Sequence, residues 1–408
     1  MKKNMLVVSP YAPYDKVGHA GGKTHNYYLK YFHKSDEFKV RLISFYNKMD
    51  EGKIDLDAYQ IEHTLIYKNP SVKEKLFRRL IDLESKHNPF NRYADIVSNY
   101  EAFRVISVMK QMKEDGYYPD IILLEWTQMV VLAPKIRKIY PDAKMVASEH
   151  DVTFLGYERK YQYEKHPLKK QLLKYKYNKM KKRELDVLHN ICDLVVTHNV
   201  KDRQLLEQHG FDGEKLHVIV PYYMDMTAVQ RKAATKDIIF FGAMSRPENY
   251  LSAIWFIENV LDQIADKEAR FVVIGGNPHP SLVKYASERV EIAGFVDDVS
   301  TYFSSCLCAA APLVLGAGIK VKILETLSAG VPTLTNEIGI EGIPAQDGLH
   351  YLHCTEPQEY ARAINKIING EIDIDQLTVN MKGFIKEQFN MEKSAAEFLE
   401  RVRNLAAQ

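Results

Sequence analysis

Cysteine is scarce, with only Cys192, Cys306, Cys308 and Cys354 in 408 residues. Their spacing fits no zinc motif, and Cys306 and Cys308 sit in an apolar, strand-like run where a reduced buried thiol is expected. Neither a disulfide framework nor a structural metal is expected to underlie the fold. Long apolar runs are also missing. The opening MKKNMLVVSPYAPY carries two lysines but an apolar stretch too short for a leader or a membrane span, so a cytoplasmic protein is expected. There is no low-complexity tract and no nameable internal repeat. The G-x-G-x-x-G fingerprint of dinucleotide binding is absent after the first apolar run, where HAGGKTH stands instead.

What is present is an ordinary globular composition, 46% apolar and 26% charged. A chain of 408 residues is too long for one compact core and implies two domains of roughly 200 residues each. The net charge of +2 hides an asymmetry. Residues 1–220 hold 38 Lys and Arg against 29 Asp and Glu, or +9, and the remainder 17 against 24, or −7. The two halves are therefore expected to meet different partners.

Short apolar runs alternate with helical patterns along the whole length. In the first half these are MLVV (Met5 to Val8), VRLIS (Val40 to Ser44), IILL (Ile121 to Leu124), KMVAS (Lys144 to Ser148) and DLVVT (Asp193 to Thr197). After a looser stretch from Pro221 to Lys236 a second series begins, DIIFFG, FVVIGG, VEIAGF, CLCAAAP and VPTLTN. Strands separated by helices predict parallel sheets covered on both faces. The expected fold is α/β, two doubly wound Rossmann-like domains facing a central cleft, with ligands at the carboxyl ends of the strands. The boundaries fall at 1–222 and 236–389, with amphipathic helix over about 390–408 returning to the first domain.

Three post-strand loops of the second domain carry the chemistry. FFGAMSRPEN offers Gly242 for close backbone approach and Arg246 for charge, and VVIGGN offers Gly275 and Gly276. In LGAGIKVKILETLSAGVPT (Leu315 to Thr333) a helix is expected from about Gly318, with Gly316 and Gly318 at its entrance and Lys320 and Lys322 in its first turn. Cations there oppose the helix dipole, a conflict that an anionic ligand would resolve. Glu325 lies three residues beyond Lys322 and so shares its face. It is either the partner in an i,i+3 ion pair or an acceptor for paired ribose hydroxyls. In the first domain Gly21 and Gly22 open a helix, where Gly-Gly is also common punctuation.

The run G-x-G-I-K-x-K-x-L-E-x-L-x-x-G-V-P, followed by TNEIGIEG (Thr335 to Gly342), closely resembles the donor motif of retaining glycosyltransferases of family 4, which have the GT-B fold. The resemblance is strong over 237–345 and looser over the first domain. It implies that Glu325 takes the ribose of a nucleotide sugar and that Lys320 and Lys322 meet its diphosphate. Gly21 and Gly22 would touch the same diphosphate, the segment after Gly294, beginning with Phe295, would hold the base, and His150 in VASEHD would stand near the transferred sugar. An ordinary loop histidine is the alternative for His150. Two positions depart from the family. Ala317 stands where many members place a first glutamate, so sugar contacts fall to the amides of Gly318 and Ile319. Ala243 follows Gly242 where an arginine is common, and Arg246 is the available substitute. The resemblance further implies net retention without a metal ion and no cofactor beyond the nucleotide sugar.

One stretch of the first domain stands apart. From Arg159 to Arg183, RKYQYEKHPLKKQLLKYKYNKMKKR holds 11 Lys and Arg among tyrosines and leucines. It reads either as a solvated helix face or as a peripheral contact with an anionic membrane, which would place the protein at the inner membrane face. Nothing else supports nucleic acid. The expected function is sugar transfer from a nucleotide diphosphate to a glycan or lipid-linked acceptor in cell-surface polysaccharide or glycoconjugate synthesis. A non-catalytic nucleotide-sugar or glycan-binding protein is the rival, motivated by Ala317. A sugar-nucleotide epimerase is a third reading, though it asks for more acids and histidines around the cleft than the sequence supplies.

Overall fold

The computed structural model describes residues 2–68, 96–232, 235–316 and 318–408. The chain divides into two compact units, Met1–Tyr222 with Met391–Gln408, and Tyr223–Asn390.

The first unit is built on seven strands, β1 (Lys3–Ser9), β2 (Phe38–Tyr46), β3 (Glu62–Tyr67), β4 (Ile121–Glu125), β5 (Lys144–Glu149), β6 (Leu194–Thr197) and β7 (Leu216–Val218). They pair in the order β3-β2-β1-β4-β5-β6-β7, all parallel. Alternation along β1 explains why the sheet is covered twice. Leu6 and Val8 join one buried cluster, with Ile122, Leu124 and Ala147. Met5 and Val7 join another, with Tyr28, Phe32 and Ile121. The second cluster is completed from the far end of the sequence by Ala395, Phe398, Leu399 and Val402 of the helix Met391–Ala406. The preceding helix, Ile374–Gln388, is separate.

The second unit repeats the plan with β8 (Asp237–Phe241), β9 (Arg270–Ile274), β10 (Val290–Gly294), β11 (Cys308–Ala311), β12 (Thr333–Thr335) and β13 (Leu352–His353). Their order is β10-β9-β8-β11-β12-β13, again parallel. All four cysteines are free and buried. In each sheet the winding reverses once, between β1 and β4 and between β8 and β11. Loops leaving those strands at their carboxyl ends border the crevice in which open α/β sheets bind ligands. The loops carrying Gly21, Trp126, Gly242 and Lys322 are among them or beside them. No helix among the described residues is long and apolar enough to cross a membrane.

Candidate active site

In the second unit the loops after the strands are knotted around one half-buried lysine. The helix bearing it runs Val321–Ala329, three residues later than expected, because Gly318 takes a left-handed backbone (φ 69°) and Lys320 is still extended at the N-cap position. Lys322 thus enters the first turn, and its Nζ donates to Asn249 Oδ1 at 2.5 Å while standing 4.5 Å from the centre of the Phe240 ring. Asn249 is fixed in turn by donating to the Ala243 carbonyl at 2.9 Å. Burial pulls the Lys322 ammonium down to about 7, against the opposing carboxylate of Glu248.

Glycine is required above this lysine. A Cβ on Gly242, at φ 152°, would lie 3.0 Å from Lys322 Nζ. One on Gly275 would lie 1.8 Å from the Gly242 carbonyl oxygen. The two loops close on each other, and no side chain fits between them.

The remaining expected residues surround this centre unevenly. Lys320 Nζ donates to the Gly318 carbonyl at 2.5 Å and pairs with Glu341 at 3.5 Å, so part of its charge is balanced within the motif. Glu325 Oε1 accepts the Met224 amide at 3.2 Å. Arg246 occupies the N-cap position of the helix Pro247–Asn259 without a side-chain capping bond and pairs with Glu248 while remaining exposed. Phe295, directly after β10, is 75% exposed and shields Gly276, so a flat apolar ring is available to a ligand there. Ile319 is half-buried. Ala317 lies outside the described residues.

In the first unit, Gly21 and His150 come together. Gly21 lies in the first turn of the helix Ala20–Lys34, and a Cβ there would be 3.0 Å from both His150 Nδ1 and Trp126 Cζ2. The Gly22 amide is already engaged, donating to His19 Nδ1 at 3.0 Å, so it is committed to capping its own helix. His150 follows β5 and is stacked on Trp126, ring centres 3.7 Å apart and 2° from parallel. Trp126 holds φ at 61°, a region that costs a bulky residue on the order of 1–3 kcal/mol.

A buried carboxylate organises this group. Glu125 ends β4 and accepts from His150 Nε2 at 2.8 Å and meets His25 Nδ1 at 3.3 Å. Burial alone would raise its pKa, but the two imidazoles, His25 foremost, outweigh burial and hold it well below the usual carboxylate range. Burial also holds the His150 imidazole below its ordinary value, against the pull of Glu125. His198, whose ring centre is 4.0 Å from that of His150, is pushed lower still by burial and then by His150. Sequence reasoning does not single out Glu125, Trp126, His25 or Asn249. The available signal was position: IILLEW puts an acid and an aromatic directly at the end of a buried strand.

Solved structures share this fold. The crystal structure of Anabaena Alr3699/HepE in complex with UDP superposes with a TM-score of 0.68 at 14% identity, covering 99% of this chain and all of that one. Sucrose-phosphate synthase from Thermosynechococcus elongatus gives 0.68 at 14% identity over the whole of both chains. The apo lipopolysaccharide outer core galactosyltransferase WaaB gives 0.60 at 14% identity, over 98% of this chain and 99% of that one. The fold is that of the GT-B glycosyltransferases. Residues 235–370 match the family described as glycosyl transferases group 1. No curated protein matches the sequence.

Proposed function

We propose that the protein is a retaining glycosyltransferase that moves a hexose or related sugar from a nucleotide diphosphate to a glycan or lipid-linked acceptor, without a metal ion. The observation that carries the reading is the Gly242–Lys322–Asn249 knot at the winding reversal of the second sheet, inside the stretch matching the group 1 family. Departure of the diphosphate develops negative charge on a phosphate oxygen and positive charge at the anomeric carbon. Cations held in place beforehand lower that barrier without reorganising at the moment of reaction. Lys322 and Lys320 are assigned this work, Glu325 the ribose hydroxyls, and Phe295 the base. The backbone at Gly242, Gly275, Gly318 and Ile319 lines the donor. A UDP sugar is the first donor to try, since the HepE fold relative was crystallised with UDP-glucose.

The acceptor is proposed to be lipid-linked because of the helix Pro167–Asn190. From Tyr177 onward it buries Tyr177, Met180, Val187 and Leu188. Its first half leaves Leu168, Leu172 and Tyr175 exposed at helical spacing among lysines 169, 170, 174 and 176. Apolar side chains flanked by lysine suit an anionic bilayer surface. Sedimentation with vesicles should recover the protein with anionic but not with neutral lipid, and absence from both pellets removes the membrane assignment.

A thermal-shift panel of UDP, GDP, ADP and their sugars, followed by donor turnover with candidate acceptors, tests the main reading. Lys322→Ala should weaken diphosphate binding and Glu325→Ala nucleoside recognition. Unchanged affinity in both variants would remove this helix from the site. Donor binding without transfer or hydrolysis would favour a binding protein instead.

A further inference from the structure

Three side chains staple the segment after β12 to the loop that leaves β11. Thr335 Oγ1 donates to the Ala311 carbonyl at 2.8 Å, and Asn336 Nδ2 donates to that of Leu313 at 2.9 Å. The third is charged. Glu341 Oε2 stands 3.5 Å from Lys320 Nζ, with the two side chains only 12% and 10% exposed. The same ammonium donates to the Gly318 carbonyl, and a Cβ on Gly316 would lie 2.8 Å from Lys320 Cε. The lysine therefore folds back over its own loop and holds the carboxylate of Glu341 against it.

This wall is rich in donors, the amides of Gly318 and Ile319 and the ammonium groups of Lys320 and Lys322. Such donors suit phosphate oxygens, which only accept. A sugar ring also presents hydroxyl protons, and each needs an acceptor once water is excluded. Ala317, between the glycines of the loop, ends in a methyl and supplies none. Glu248 is paired with Arg246, and Glu325 accepts the Met224 amide. We propose that Glu341 is a specificity-determining residue whose carboxylate accepts hydrogen bonds from two adjacent hydroxyls of the transferred sugar, and that Lys320 is the positioning residue that aims it. An ionised carboxylate has about four lone-pair sites, so a lysine and a sugar diol are accommodated together. In a hexopyranose linked through C1 the adjacent hydroxyl pairs are O2 with O3 and O3 with O4. O3 belongs to either pair.

The inference rests on the sugar-nucleotide reading, and titration calorimetry with UDP, UDP-glucose and UDP-3-deoxyglucose tests the two separately. Glu341→Gln should weaken UDP-glucose roughly 10- to 100-fold, the worth of hydrogen bonds to a charged group, and leave UDP unchanged. Glu341→Asp keeps the charge opposite Lys320 but draws it back by one methylene, and should show the same split. On the wild type UDP-3-deoxyglucose should suffer a comparable loss, a result that owes nothing to how a variant folds. Lys320→Met should cost UDP-glucose more than UDP, and that excess should vanish when it is combined with Glu341→Gln. The assignment is overturned if both Glu341 variants lose UDP and UDP-glucose alike, if either binds UDP-glucose as the wild type does, or if the wild type does not distinguish the two sugars. An excess that persists in the double variant overturns the role of Lys320. If the wild type binds neither UDP nor UDP-glucose, the functional reading falls and takes this assignment with it. If it binds both and the variants do not discriminate, only this assignment falls.

Discussion

Lys322 carries a testable consequence of its burial. Free lysine holds its proton to well above pH 10, whereas here burial brings the group to about 7. A diphosphate beside it favours the charged form, so the bound state has the higher pKa. Between about 7 and that higher value binding must take up a proton, and affinity falls as pH rises through the window. Calorimetry of UDP binding at pH 8, in two buffers of different ionisation enthalpy, should report uptake approaching one proton. No uptake would mean that Lys322 does not face the phosphates. This residue was legible in the sequence because two lysines at a glycine-rich helix start contradict the helix dipole. Asn249 and Glu125 were not, because each acquires its meaning from a neighbour on another strand or helix. Asn249 lies 73 residues from Lys322, and Glu125 lies 25 from His150.

Among the elements, the helix Thr153–Tyr163 directly after His150 has an instructive beginning. Its N-cap is Val152, which supplies no side-chain bond. Glu184, fully buried on the helix Pro167–Asn190, does so from a distance, accepting the amides of Thr153 and Phe154 at 2.9 Å each. Its pKa is raised by burial, against the pull of those two amides. Glu184→Ala strands both donors and should cost about 1–3 kcal/mol, read as a lower urea midpoint. An unchanged midpoint would show that water replaces the carboxylate. Elements with a continuous apolar run, such as β4 and β5, declare themselves in the sequence. β3, with EHTLIY, does not, since its residues are only partly buried and follow no clean alternation. The helix Val321–Ala329 starts three residues later than the sequence predicts, because the left-handed turn at Gly318 delays the first helical turn.

On the scale of the molecule, the first unit is discontinuous. Ser394 Oγ meets the Tyr28 hydroxyl at 3.0 Å and accepts the Val220 amide at 2.9 Å. Phe398 packs edge-on against Phe32 with ring centres 5.1 Å apart. Truncation after Asn390 removes Ala395, Phe398, Leu399 and Val402 from that core, the last three each contributing up to about 1.5–3 kcal/mol. The expected result is early melting of the first unit and binding of a hydrophobic dye, and a melting curve identical to the full chain would refute it. The sequence predicts an amphipathic ending that returns to the first domain, but not the residues it covers there, because helical periodicity says that a face is buried and not against which side chains. The same late helix sets an order on biosynthesis. Residues 223–390 have their strands in hand as soon as they leave the ribosome, whereas the first unit waits for the helix Met391–Ala406, synthesised after the whole of the second. Its face at Tyr28 and Phe32 should therefore stay uncovered until that helix emerges, and docking of the helix is the committing step of its folding.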